Sequence, residues 1–122
     1  MKQHRNPAQP RFVSTSEISF RHDSVTLSGT LSIPAQIQGA VLFAHGSGSS
    51  RFSPRNQQVA KVLQSSGFAT LLLDLLTERE AQDREYVFDI ELLALRLAAA
   101  QQWARTVNEL VEVGFGYFGA ST

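Results

Sequence analysis

Two short and almost uninterrupted apolar runs, at residues 40–44 and 69–73, constrain the fold of this chain more than any other feature. Both faces of such a run must be covered, as they are for the strands of a parallel sheet. A segment of helical character separates the two runs, and parallel strands linked in this way are joined by right-handed crossovers. The pattern therefore predicts an α/β fold on a mostly parallel sheet.

A different pattern precedes these runs. Between residues 25 and 33 the apolar side chains keep one phase of a two-residue repeat: Val25, Leu27, Leu31 and Ile33. Period two is typical of a half-buried strand. Ile18 and Phe20 repeat the phase within residues 14–20, which predicts an antiparallel hairpin partner and a turn at residues 21–24.

The first predicted helix has clear signals at both ends. Ser53 is a suitable N-cap, and Pro54 is tolerated in the first turn because its missing N–H has no partner there. Gly67 is suited to end the helix. Its apolar side is predicted from three residues: Val59, Val62 and Leu63.

The second predicted helix spans residues 89–108, after a polar connection at residues 77–85. Apolar residues recur there at steps of three and four and predict one buried stripe: Ile90, Leu93, Leu97, Ala100, Ala104 and Val107. Arg96 falls outside this stripe. A third strand-like segment follows at residues 114–118.

Length and composition exclude several classes of protein and of binding site. At 122 residues the chain is one domain or part of one. Its net charge is zero, so we expect no nucleic-acid partner, although residues 1–61 carry +5 and residues 62–122 carry −5. We interpret this asymmetry as solvated faces that compensate within the fold.

Because cysteine is absent, no thiolate metal site can form, and we expect no metal and no cofactor. No signal peptide or membrane span is visible, which favours a cytoplasmic protein without a membrane partner.

A glycine-rich segment, His45-Gly46-Ser47-Gly48, follows the first apolar run. Loops at the carboxyl ends of parallel strands lie where α/β sheets bind ligands. Two glycines let such a loop aim N–H groups at a developing oxyanion, and phosphate binding is the alternative. Arg51 occupies the third glycine position of a dinucleotide-binding pattern, and no P-loop lysine is present. These residues favour an oxyanion loop over a plain turn, with His45 as a structural residue.

The final residues, Gly119-Ala120-Ser121-Thr122, match the first four positions of a G-x-S-x-G nucleophile elbow. Ser121 is therefore the candidate nucleophile. In such a site the oxyanion is held by the N–H of the residue after the nucleophile and by one from an earlier loop. The corresponding residues here are Thr122 and Ser47.

Together these segments resemble the α/β-hydrolase superfamily in its dienelactone hydrolase-like branch, and a bacterial subgroup sometimes fused to phosphoribosyltransferase domains. The segments that carry the resemblance are residues 41–51, 53–56, 71–77, 88–90 and 116–122. It implies that residues 14–122 form an incomplete α/β-hydrolase domain, an antiparallel hairpin followed by βαβαβ, that ends at the elbow. Residues 1–13 are then a loose lead-in.

The resemblance implies a hydrolase that acts on carboxylic ester or lactone bonds of a small molecule. Dienelactone hydrolases proper carry cysteine at the position of Ser121, so their substrate is not carried over. The family places its acid and its catalytic histidine after later strands. We therefore expect this chain to be a fragment without either group and nearly inert alone. The alternatives are a non-catalytic domain associated with a phosphoribosyltransferase, or an inactive truncated product.

Three residues near the candidate loop have competing interpretations. Asp74 follows the second apolar run, and a loop-ordering or helix-capping role is favoured over catalysis. Arg51 and Arg55 flank the loop and are candidates for binding an anionic substrate, with ordinary surface positions as the alternative.

The last strand would be an open apolar edge, through which we expect self-association.

Overall fold

The computed structural model describes residues 13–44 and 50–119. Its five strands are β1 (Ser14–His22), β2 (Val25–Ile33), β3 (Gly39–Ala44), β4 (Phe68–Asp74) and β5 (Phe115–Gly119). Its three α-helices are α1 (Pro54–Ser65), α2 (Arg84–Val87) and α3 (Ile90–Ala104). Short 3₁₀ turns occupy Ser50–Phe52, Glu80–Gln82 and Asn108–Leu110.

The strands form one mixed sheet in the order β1-β2-β4-β3-β5. The β1–β2 hairpin is antiparallel and adds to β4 in antiparallel fashion, whereas β3 pairs in parallel with β4 and β5. This arrangement confirms the predicted α/β class with its hairpin followed by parallel strands. The turn of the hairpin is tighter than predicted, because β1 continues to His22 and only Asp23 and Ser24 remain to reverse the chain.

The two longer helices cover opposite faces of the sheet. Successive residues of β4 point to opposite sides. Leu71 and Leu73 belong to the core cluster that includes Ala100 and Ala104 of α3. Leu72 packs instead with Phe43 of β3 and Ala60 of α1. The central strands are therefore apolar on both faces, as their composition predicts.

Helix α1 follows its predicted end signals. The Ser53 side chain accepts a hydrogen bond from the backbone N–H of Asn56, and Gly67 has a φ of +92° just after the helix. The prediction that Val62 lies on the buried side was wrong, because its side chain is 63% exposed. Consecutive residues are about 100° apart around a helix, so Val62 lies well away from its neighbour Leu63, which contacts the core.

Helix α3 differs from prediction in two side chains. Ile90 is 72% exposed, because the helix meets the core only from Leu93 onward. Arg96, expected outside the buried stripe, is only 4% exposed. Its guanidinium is buried because Glu80 pairs with it there.

Helix α3 also ends earlier than the predicted residue 108. The Thr106 N–H and hydroxyl both donate to the carbonyl oxygen of Trp103, at 2.9 and 2.6 Å. This i to i−3 pairing replaces the α-helical pattern at the last turn. Within the described residues, no helix combines the length and the apolar character that crossing a membrane requires.

Candidate active site

The carboxyl ends of β3, β4 and β5 lie at one edge of the sheet, because these three strands are parallel. Ala44, the last residue of β3, is opposite Gly119, the last residue of β5. The segments that contain the predicted oxyanion loop and the predicted elbow therefore continue from adjacent strand ends. The predicted site residues themselves lie outside the described residues: His45, Gly46, Ser47, Gly48, Ser121 and Thr122.

Packing between β3 and β5 fixes this pair of strand ends. The rings of Phe43 and Phe118, which are opposite each other in the register, have centroids 5.0 Å apart. At the other end of the pair, the Ala40 N–H donates to the carbonyl oxygen of Gly114 at 2.9 Å. Both ends of the short strand β5 are therefore tied to β3.

Asp74 ends β4 at the same edge and binds the first residues after the candidate loop. Its Oδ1 accepts from the backbone N–H of Arg51 at 3.1 Å, and its Oδ2 accepts from Arg51 Nε at 2.7 Å. Only 16% of the Asp74 side chain is exposed. One carboxylate thus holds both the backbone and the side chain of Arg51, which orders the chain where it leaves the loop.

The guanidinium of Arg51 has a second carboxylate partner. Its Nη1 donates to Glu17 of β1, and the other oxygen of Glu17 accepts from the Thr30 hydroxyl of β2 at 2.9 Å. The guanidinium carbon also lies 4.3 Å from the ring centroid of Phe52, within the range of a cation–π interaction. Glu17 was not identified from the sequence, since nothing in a polar edge strand distinguishes it.

The two predicted substrate-binding arginines have different environments. Arg51 is engaged by two carboxylates, and 19% of its side chain is exposed. Arg55 is exposed in the first turn of α1. Binding of an anionic substrate by either residue stays a prediction.

A second ionic cluster lies between α3 and the connection after β4. Arg96 Nη1 donates to Glu80 Oε1 at 2.6 Å and to the carbonyl oxygen of Leu75 at 3.0 Å, while Nη2 donates to Glu80 Oε2 at 3.0 Å. The hydrogen bond from Arg96 holds the pKa of Glu80 below its usual value, and a backbone hydrogen bond from Thr77 acts in the same direction. Burial opposes them but does not prevail.

Thr77 and Glu80 also form a reciprocal pair. The Thr77 N–H donates to Glu80 Oε1 at 3.0 Å, and the Glu80 N–H donates to the Thr77 hydroxyl at 3.2 Å. This is the geometry of a capping box, whose T-x-x-E signature is present in the sequence. That signature could have identified the short turn at Glu80–Gln82 within the predicted polar connection.

No protein-family model matches the chain. Two curated proteins of Mycobacterium tuberculosis, from strains CDC 1551 and H37Rv, are each 54% identical to it over 98 residues, or 80% of this chain. Both are provisionally named phosphoribosyl transferase. The match covers 22% of each, so the chain spans about a fifth of the length of these curated relatives.

The chain covers a larger share of two solved structures than of these curated relatives. The dienelactone hydrolase of Anabaena variabilis is 49% identical, with a TM-score of 0.82 over 90% of this chain and 53% of that protein. A cold-adapted esterase from an Arctic intertidal metagenomic library has a TM-score of 0.70 at 21% identity, over 88% of this chain and 50% of the esterase. The esterase shows the fold alone, while the hydrolase shares sequence as well. The chain spans about half of either protein.

The strand order agrees with this likeness. An antiparallel hairpin, two crossovers and a glycine-rich segment after β3 occur together. Its sheet therefore matches an α/β-hydrolase-like fold, and in sequence and structure the chain is similar to about half of a dienelactone hydrolase.

Proposed function

We propose that this chain carries the nucleophile and the oxyanion hole of a serine hydrolase acting on carboxylic ester or lactone bonds. The observation that carries the proposal is the pairing of Ala44 with Gly119. Neighbouring strands are about 4.8 Å apart. The segments that contain Ser47 and Ser121 therefore start close together, which suits two N–H donors that must reach one oxygen atom.

In the proposed reaction the Ser121 hydroxyl oxygen attacks the carbonyl carbon of the ester or lactone, while its proton passes to the histidine of the triad, which then protonates the leaving alcohol. The carbonyl oxygen becomes an oxyanion, and the N–H groups of Ser47 and Thr122 stabilise it. His45, Gly46 and Gly48 give the loop its shape. Collapse of the intermediate expels the alcohol, which a lactone retains on its acyl chain, and water then releases the acid from Ser121.

The serine of such a site is activated by an acid and a histidine. In this fold the acid and the histidine of the triad follow the nucleophile along the chain. All three histidines of this sequence, His4, His22 and His45, precede Ser121. We therefore assign the activating pair to sequence on the carboxyl side of Ser121, as part of the domain that begins at residue 14.

A fluorophosphonate probe tests the nucleophile. The whole native polypeptide that carries these residues is treated with the probe, and the adduct is located by mass spectrometry of peptides. We expect a single adduct on Ser121 and its loss in Ser121→Ala. Ser19→Ala, which changes an exposed serine of β1, is the matched control and should label normally. A well-folded polypeptide that does not label at Ser121 would contradict the proposal.

A second function is favoured by the curated relatives. Their name and the 22% coverage support a proposal in which this domain is attached to a phosphoribosyltransferase and serves it without catalysis of its own. In that case, removal of residues 14–122 from such a polypeptide lowers transferase activity, while Ser121→Ala leaves it unchanged. Hydrolysis that depends on Ser121 would instead favour the first proposal.

A further inference from the structure

Arg51 is held more firmly than a surface arginine that awaits a ligand. Asp74 binds its backbone N–H and its Nε with separate carboxylate oxygens, at 3.1 and 2.7 Å. Because both groups belong to one residue, this contact restricts the backbone and the side chain together. Asp74 is itself the last residue of β4, paired with Ser28 of β2, so the anchor is part of the sheet.

The charge around Arg51 argues against recruitment of an anion. One guanidinium is paired with two carboxylates, those of Asp74 and Glu17. With the three groups ionised, their formal charge is −1. Such a cluster offers an anionic ester no net positive charge, because the arginine charge is already neutralised.

The segment after Arg51 is fixed as well. The Gln57 side-chain amide of α1 donates to the carbonyl oxygen of Arg51 at 3.1 Å. The chain then enters α1 through the Ser53 cap. Arg51 therefore connects three anchored elements: the end of β4, the start of α1 and, through Glu17, the edge strand β1.

We infer that Arg51 and Asp74 are positioning residues that hold the downstream end of the oxyanion loop, and that Arg51 acts through this loop and not on the substrate. The inference rests on the proposed function of Ser47 as an oxyanion donor. The loop starts at Ala44 on β3, and Arg51 fixes its other end on the neighbouring strand β4. An oxyanion donor must lie about 2.7–3.1 Å from the oxygen, so both attachments matter. A displacement of about 1 Å can reduce a rate by about 100-fold.

The kinetic test compares Arg51→Gln and Asp74→Asn with the native polypeptide on two esters, one neutral and one with a carboxylate in the acyl group. We expect both variants to lower kcat by up to about 100-fold on both esters. The ratio of the KM values for the two esters should stay unchanged. Arg51→Lys keeps the charge and should recover part of kcat. Arg21→Gln, an exposed arginine of β1, is the matched control.

The opposite kinetic result would overturn the inference. A rise in KM for the anionic ester alone, with kcat unchanged in Arg51→Gln, would make Arg51 a substrate-binding residue. Thermal melts of each variant ensure that the comparison is made on folded protein.

Hydrogen–deuterium exchange separates this inference from the proposed function. The Arg51 amide and those of residues 45–50 should exchange faster in Asp74→Asn than in the native polypeptide, while the amides of β3 exchange as before. Unchanged exchange at Arg51 would overturn the anchor even if Ser121 labels normally. Absence of the Ser121 adduct with faster exchange would overturn the catalytic role and leave the anchor in place.

Discussion

At the scale of single residues, Arg96 shows how much one buried charge depends on its partner. Its guanidinium is almost entirely out of water, and its Nη1 and Nη2 groups donate to the Glu80 carboxylate and, from Nη1, to the Leu75 carbonyl oxygen. Removing one member of such a pair leaves a buried charge without compensation, which costs far more than the pair contributes. The pair therefore joins α3 firmly to the connection after β4.

A double-mutant cycle measures this dependence. Arg96→Met should lower the free energy of unfolding by about 3–5 kcal/mol, since the Glu80 carboxylate is left buried. Adding Glu80→Gln should recover part of the loss, because the amide carries no charge and can still accept from the Thr77 N–H. Chemical denaturation of the four proteins gives the coupling. If the losses of unfolding free energy from the two single changes simply add in the double variant, the predicted coupling is wrong. Arg79→Met, at an exposed arginine nearby, is the control and should change the unfolding free energy little.

The same pair predicts a pH dependence. Because Arg96 holds the pKa of Glu80 below its usual value, the unfolded chain binds this proton at a higher pH than the folded chain does. The stabilisation is complete above the unfolded pKa of about 4.3 and is lost as the pH falls through the folded pKa. The difference in unfolding free energy between native protein and Glu80→Gln should therefore be constant at neutral pH and shrink in acid. A difference that does not vary with pH would contradict the assignment.

At the scale of elements, the end of α1 depends on one backbone conformation. Gly67 has a φ of +92°, and its carbonyl oxygen accepts from the Gln38 N–H at 2.7 Å. The Gln38 side chain adds a hydrogen bond to the Ser66 carbonyl oxygen at 3.1 Å. This turn therefore joins the helix to the residues that enter β3 as well as to β4.

Gly67→Ala tests that turn. A Cβ at this position would lie 3.1 Å from Gln38 Nε2, and the left-handed backbone disfavours side chains by about 1–2 kcal/mol. We expect a loss of unfolding free energy of about that size, with a smaller loss for Gly67→Asn. Gly114→Ala is the control, because a Cβ there meets no atom within 4 Å. A Gly67→Ala protein as stable as Gly114→Ala would contradict the prediction.

The sequence could predict the features that local interactions determine. Ser53 and Gly67 act on neighbouring residues, so the limits of α1 followed from them. The burial of Arg96 could not be predicted, because Glu80 lies a turn and a short helix away along the chain. The contact of Arg51 with Glu17 depends on β1 and the loop exit being brought together by the whole sheet. The βαβ pattern predicted which strand ends lie at the candidate site. It could not predict their register, which depends on how the whole sheet packs.

At the scale of the whole molecule, the two outer strands of the described sheet have different character. The edge strand β1 is mostly polar and exposed. The opposite edge strand, β5, carries aromatic residues, of which Tyr117 is 54% exposed. Apolar edges are templates for pairing with another chain, whereas polar or charged ones discourage it.

Self-association of the 122-residue chain should therefore proceed through β5. We expect concentration-dependent oligomers in light scattering coupled to size-exclusion chromatography, and a shift toward monomer in Tyr117→Lys, because a charge at the edge opposes pairing. Thr15→Lys places the same charge on the exposed edge strand β1 and should not reduce association. Equal association in all three proteins would exclude β5 as the interface.

The register between Ala44 and Gly119 determines which changes of length the chain can accept. An insertion in the connection between β4 and α3 leaves that pairing untouched. A single residue inserted within β5 would shift the strand by one position and turn its following side chains to the other face of the sheet. Natural variation in length is therefore expected to concentrate between β4 and α3 and to spare the strands that lead into the candidate site.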